Sequence, residues 1–443
     1  MRNLNAANEQ AMHQTAVRVI CCLLMVCLLA GCSSTSIIGD KSSVMRLGEE
    51  AEKKVVIWHT YSDEETILFE KEVIPEFEAA YPGIKIESFR QTHNQEYHAA
   101  LMARASAGKT PDIIRMDYTW IPLFVERRLL QPLNDFSQFS EVRNRLQERM
   151  LQMNTYDGVT FGLPLNISTK AAIFNNRLLQ QGGLSKPPET FAELVKFARS
   201  NGYILGMNGI ELWNSLPYFM ALGGQLADEP FTRTAGYLDS DASIAAMKQL
   251  LALYKEGIIN PYMFSNHTDL WKEVFSQGKV VMIDEGQWYY SILLNTSSVE
   301  EDLLEKTTPR PFPSRAGAGS IIGGESLVIT KGARNKDEAW IFMNWMTKRE
   351  TQLQLFKAGV IPANTEAFAE GRAQQGGVNR YLSAYMEGLE QAFYRPSIPQ
   401  WNDIEQLYDA AMEDIFMKGK DVEQTLQETT KLIDSLLAGT GTE

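Results

Sequence analysis

Apolar residues along the chain fall into short compact runs separated by polar turns and by stretches of helical spacing. Residues 54–58 (KVVIW) are a run of the kind that sits in the middle of a parallel sheet, 112–116 (DIIRM) are another buried-type strand, and 279–283 (KVVMI) and 326–330 (SLVIT) read as further strands. Residues 84–87 alternate as a strand. Between the first run and that strand, Ile67, Ile74, Phe77 and Tyr81 recur on one helical face until Pro82-Gly83 stops the pattern, and Pro75 inside it predicts a kink. A second helix is expected over 96–107. Strand, helix, strand, helix, strand in this order predicts right-handed crossovers and an open parallel sheet.

Further on, residues 156–164 read as a tight hairpin feeding an extended segment, 165–176. Helical spacing covers 188–200 and 241–257, the latter with Asp241 as cap and Gly257 as stop. It returns at 336–345, 379–391, 403–417 and in a last helix to about residue 437. In open sheets ligands collect beyond the carboxyl ends of the strands. The segments to watch are therefore His59 to Asp63, then Asp117 to Trp120, then Asp284 to Trp288.

The N-terminus changes the picture. An apolar run over 19–29 follows Arg2 and Arg18, matching an export signal, and is too short to span a bilayer, which takes about 20 residues. All 4 cysteines, Cys21, Cys22, Cys27 and Cys32, lie here. The segment Leu29-Ala30-Gly31-Cys32 resembles the bacterial lipobox, which implies removal of residues 1–31, lipidation of Cys32 and a polar tether over 32–52. The chain carries −13, and losing Arg2, Arg18 and Glu9 makes it one charge more negative. That balance excludes nucleic acid as a partner. The processed chain holds no second thiol for a disulfide, so its stability must come from apolar burial, and 44% hydrophobic residues suffice for two domains.

In order, the segments VVIWHTYSDEE, GKTPDIIRMDYTW, GLPLNISTKAAIFNN, MALGGQL, FSQGKVVMIDEGQW, GGESLVITKGARNKDEAWIFMNWMT, GVIPANTEAF and RPSIPQWNDIEQLYDAAMEDI resemble the extracellular solute-binding proteins of bacterial ATP-binding-cassette importers. The match is to their carbohydrate-binding group, which includes the maltose-binding protein. The resemblance implies an α/β, periplasmic-binding-protein-like fold: two lobes, each with a central mostly parallel sheet flanked by helices, joined by three crossover segments near 163–168, 319–322 and 362–365. One lobe would comprise 53–163 plus 323–362 and the other 168–319 plus 366–443. The implied cycle is hinge closure on a carbohydrate followed by delivery to the permease subunits, by a monomer tethered outside the cytoplasmic membrane through its N-terminal lipid alone.

Sugars combine hydroxyls with apolar C–H faces, so a sugar site joins carboxylate, amide and guanidinium groups to flat aromatic rings. On the family pattern, Trp288 stands at the stacking position and Asp117 where an aspartate accepts sugar hydroxyls; a core tryptophan and a helix cap are the plain alternatives. Tyr61 and Asp63 lie in the first loop, Asp63 also being placed to cap a helix, and Trp120 follows the third strand. Asn166 and Ser168 belong to the first crossover, Trp213 precedes a helix directed at the cleft, and Glu325 follows the second crossover. Arg395 and Trp401 would close the site from the C-terminal segment.

Other chemistries fit less well. A glycosidase needs two facing carboxyl groups about 5–10 Å apart, whereas Asp284 and Glu285 are adjacent in an extended run and point to opposite faces. Distant carboxylates such as Asp117 and Glu325 stay open at this level, as does a sensing receptor on the same fold. After the leader, His59, His93, His98 and His267 are the only histidines, and no pair has metal-ligand spacing. No phosphate-cradling glycine run occurs, so neither metal nor cofactor is expected and the chain is not itself an ATPase.

Overall fold

The computed structural model describes residues 52–92, 95–260, 270–295, 302–314, 317–318, 320–373 and 378–439. The leader, Cys32, the tether as far as residue 51, His93 and His267 lie outside them. The path begins with β1 (Lys53–His59), α1 (Asp63–Leu68), a π-helical turn over Phe69–Val73, α2 (Ile74–Ala80), β2 (Ile84–Arg90), α3 (Gln95–Ser106) and β3 (Ile113–Asp117). A hairpin of Thr155–Tyr156 with Val159–Thr160 precedes β4 (Gly162–Pro164) and the ten-residue β5 (Asn166–Asn175), which is buried at every position. Next come β6 (Ile204–Gly206), α4 (Leu212–Ala221), α5 (Asp241–Lys255), β7 (Val280–Gly286), α6 (Trp288–Asn295), β8 (Thr307–Arg310), β9 (Ile321–Gly323) and β10 (Glu325–Ile329). α7 (Lys336–Met346), β11 (Ile361–Pro362), β12 (Phe393–Tyr394), α8 (Trp401–Phe416) and α9 (Val422–Ala438) complete the elements that matter here.

Two sheets organise two lobes. The first has the order β2-β1-β3-β10-β4, and the second β12-β9-β5-β7-β6 with β8 and β11 added to β5. Both are mixed rather than mostly parallel. β1 pairs in parallel with β2 and β3, but β10 is antiparallel to β3 and β4, and β5 is antiparallel to β7, β8, β9 and β11. The cause is the chain path. Strands that enter a sheet directly from the other lobe, rather than through a helical crossover, arrive in the opposite direction.

The two adjoining connections, Pro164 to Asn166 and Gly323 to Glu325, run side by side, with the Leu165 N–H donating to Glu325 O at 2.9 Å. Gly324 is what allows the approach. It has φ +150°, and a Cβ there would stand 2.5 Å from Asn166 O.

Local details depart from the sequence pattern for identifiable reasons. Ser62, not Asp63, caps α1: its Oγ accepts the Glu65 N–H at 3.3 Å while Glu65 accepts the Ser62 N–H at 2.8 Å. The proline is absorbed by the widened π turn just ahead of it. That turn also rotates the buried face, which is Phe69, Val73, Ile74 and Phe77, and leaves Ile67 62% exposed. Ser240, not Asp241, caps α5. The first lobe packs Phe69, Phe77, Trp340 and Phe342 under its sheet, and the second packs Phe191, Leu250, Trp401 and Met412. Among the described residues no helix is long and apolar enough to cross a membrane.

Candidate functional site

The carboxyl end of the first sheet carries a buried charged network. β3 ends at Asp117, directly opposite Glu325 at the start of β10. Two residues earlier on β3, Arg115 donates to Thr60 Oγ1 at 2.9 Å, to Asn166 Oδ1 at 3.0 Å and to Glu325 Oε2 at 2.9 Å. Asn166 closes the triangle by donating Nδ2 to Glu325 at 2.6 Å. The guanidinium also lies 4.2 Å over the Tyr61 ring, whose hydroxyl is pushed well above its ordinary range by burial. Beside it, burial and the neighbouring Arg115 and Arg90 drive His59 down to about 3. The imidazole is thus neutral. Its Nδ1 accepts the Tyr61 N–H at 3.3 Å, which leaves Nε2 as donor to Ser88 Oγ at 2.8 Å.

Asp117 joins the lobes. Its Oδ1 accepts from the Thr119 N–H and hydroxyl at 2.9 and 2.8 Å, capping the short turn Tyr118–Trp120. Its Oδ2 accepts from Arg395 at 2.7 Å. Arg395 follows β12 of the second sheet, donates Nε to Ile322 O at 3.0 Å and lies 3.7 Å from Glu405. Its guanidinium sits 5.3 Å from the Tyr118 ring centroid and 5.3 Å from that of Trp213. Burial raises the Glu405 carboxyl, with Arg395 opposing.

The aromatic part is built on the second sheet. Trp213 in the first turn of α4 and Trp288 at the start of α6 stack with centroids 6.3 Å apart and planes 27° from parallel, both half-buried. The two indoles thus form one aromatic pair. Gly286 permits it, since a Cβ there would stand 2.3 Å from the Trp288 ring. Ser168, buried on β5, pairs in register with Gly323, against which the Trp213 indole rests. Under the indoles Lys170 and Asp284 form an ion pair of 2.7 Å with 1% and 0% side-chain exposure. Burial lifts Asp284 to about 6, with Lys170 pulling it down and Glu285 adding to the rise. Glu285 points the other way, accepting from Trp271 Nε1 at 2.8 Å, as expected for neighbours in a strand.

Tyr61, Asn166 and Glu325 therefore form one cluster, and Asp117, Arg395, Trp213 and Trp288 a second, with Ser168 on the strand between. Trp120 packs against His98 and Tyr97, at 4.7 and 6.0 Å between ring centroids. Asp63 is an exposed residue paired with Arg90. Trp401 is 1% exposed among Phe231 and Phe393 in the second lobe's core, so its ring offers no free face. Arg115, Lys170 and Glu405 went unnoticed in the sequence. The signal for Arg115 was there: a charge within an apolar strand run has to find partners inside the fold. Among the described residues no group of three or more His, Cys, Asp or Glu side chains is placed to hold a metal.

The profile of the family described as bacterial extracellular solute-binding protein matches residues 72–377, more than half of the chain. A putative binding protein of Brucella abortus (strain 2308) is 25% identical over 378 residues, covering 83% of this chain and 89% of the relative. The maltotriose-binding protein of Pyrococcus abyssi (strain GE5 / Orsay) is 26% identical over 397 residues, 85% of this chain and 80% of the relative. Among solved structures, the GacH receptor of Streptomyces glaucescens GLA.O, studied unliganded and with acarbose, superposes with a TM-score of 0.77 at 22% identity, over 88% of this chain and 99% of that one. At that identity the likeness is one of fold.

Proposed function

The chain belongs to the bacterial extracellular solute-binding protein family, and from that premise we propose that it captures an uncharged mono- or oligosaccharide between its lobes by hinge closure and hands it to the permease subunits of an ATP-binding-cassette importer. The observation that carries the sugar is the Trp213–Trp288 pair, half-buried and flanked by Arg395 and the carboxylates it holds. Such rings suit pyranose C–H groups, and the guanidinium, carboxylate and amide edges suit hydroxyls. The names of relatives support the same class, one being a maltotriose-binding protein and another a receptor crystallised with acarbose. The cations Arg115, Arg395 and Lys170 each face a carboxylate, so the ligand need bring no charge.

Most strands fall on the side of the lobe limits expected from the sequence, the exceptions being Gly323 of β9 and β11 (Ile361–Pro362), which pair with β5 of the second sheet, and Gly324 supports a hinge between the lobes. Screening the exported protein against a panel of neutral glycans that includes maltotriose should raise the melting temperature for at least one member. At a ligand concentration 100 times Kd the gain is about 2.7 kcal/mol. A panel of amino acids and polyamines that shifts the transition while every glycan leaves it unmoved would refute the reading.

The tether is part of the proposal. Cys32 carries the lipid, so Cys32→Ser should move the protein from the membrane pellet to the soluble fraction. Retention of the variant in the pellet would point to a different anchor.

A further inference from the structure

Helix α4, which presents Trp213, has two backbone groups in its first turn that find no partner within the helix. Pro217 lies inside it and has no N–H, so the carbonyl of Trp213, four residues earlier, loses its helical donor. The Leu212 N–H, first in the helix, is one of the donors that no helix pairs internally, and the N-cap residue Glu211 adds no side-chain bond to this turn. Both vacancies are filled from distant elements by charged groups. Lys170 on β5 donates Nζ to Trp213 O at 3.1 Å while paired with Asp284. Asp409 on α8 accepts the Leu212 N–H at 2.7 Å. The neighbouring Tyr408 hydroxyl meets Ser215 Oγ at 3.2 Å, which fastens the same turn to α8.

We propose that Lys170 and Asp409 are positioning residues for ligand capture: they hold the first turn of α4 by a carbonyl and by an N–H from two distant elements and so keep the Trp213 indole in register with Trp288. The proposal rests on the Trp213–Trp288 face being the ligand's platform, but the register of the two rings is measurable without ligand.

The Asp409 end of the clamp responds to pH. Burial raises this carboxyl to about 7, with the Leu212 N–H opposing and Glu405, Glu413 and Glu211 adding. Those three carboxylates face it from α8 itself and from the N-cap of α4. The charged form accepts the N–H more strongly, so the hold loosens as pH falls from 8 to 6. Fold stability moves the other way through this group. Its folded pKa lies above the unfolded value, so its ionisation costs stability as pH rises between about 4 and 7, and acidification removes that cost.

Stacked indoles couple their transitions and give an exciton couplet in the far-ultraviolet circular dichroism, and Trp213→Phe defines the spectrum without it. The readouts are that couplet and maltotriose affinity, measured on the full exported chain well below the melting temperature. Asp409→Ala should lose at least half of the couplet and, if maltotriose binds the parent, weaken it about tenfold. Leu426→Ala, a core truncation in the second lobe that also lowers the melting temperature, should keep both. Asp409→Asn retains an acceptor and should keep most of the couplet at pH 8 while losing the decline towards pH 6 that the parent shows. An undiminished couplet in Asp409→Ala overturns the proposal, as does a parent protein with no couplet to lose. Neither result touches the carbohydrate reading, which stands or falls on the glycan panel.

Discussion

Lys170→Met should lower the unfolding free energy by about 3–5 kcal/mol at pH 7.5, the usual consequence of removing one member of a fully buried ion pair. The reasons are additive in direction. Asp284 is left as an uncompensated carboxylate with no side-chain exposure, and its remaining partner, Ser320, stands at a marginal 3.5 Å. Trp213 O is left with neither a lysine nor a helical N–H. The pH dependence has a definite sign. With Lys170 present the Asp284 carboxyl already titrates at about 6. Without it the value climbs further, so the folded variant binds a proton that the unfolded chain, at about 3.9, does not. Stability of the variant therefore falls as pH rises through that interval and partly returns on acidification to 5.5. Urea titrations at pH 5.5 and 7.5 measure both effects. Lys170→Met combined with Asp284→Asn should recover at least half of the loss at pH 7.5. A single mutant with the parent's midpoint at both pH values would mean that the pair is solvated rather than enclosed.

The same residue shows where the sequence can be read and where it cannot. Short apolar runs located β1, β3, β7 and β10 because burial on both faces leaves no polar alternation, and the residues after those runs include Tyr61, Asp117 and Trp288. Lys170 lies in the middle of β5, which the sequence marks as extended, but a lone lysine there reads as a solvated side chain. Its role depends on Asp284, more than a hundred residues later, and on the missing N–H of Pro217, and these meet only through the register of β5 with β7. Trp401 illustrates the opposite error. Its neighbourhood in the C-terminal segment pointed to the cleft, while its contacts with Phe231 and Phe393 consign it to the core. The direction of β5 against its neighbours was equally hidden, since a strand buried at every position gives the same unalternating pattern whether its neighbours run parallel or antiparallel. Side-chain partners contributed by distant strands and helices are set by topology, and topology is the part of the fold that local pattern constrains least.

Trp288→Ala should raise the dissociation constant of a bound sugar about 10- to 100-fold, roughly 1–3 kcal/mol, through lost stacking and apolar burial. The ligand-free variant should unfold within about 1 kcal/mol of the parent, because the indole is only half-buried and stacks on Trp213 rather than inside the core. This split separates a platform from a core residue, since truncation of a fully enclosed tryptophan such as Trp401 costs about 3–5 kcal/mol of stability. Calorimetric titration and thermal melts on the same preparations measure the two halves. A double-mutant cycle with Trp213→Ala extends the argument. If the rings act as one surface, removing either already spoils the platform, and the loss in the double variant should be smaller than the sum of the single losses by about 0.5–1.5 kcal/mol. Full additivity would mean that the two indoles meet the ligand independently, and a variant that binds normally but melts far earlier would return Trp288 to the core.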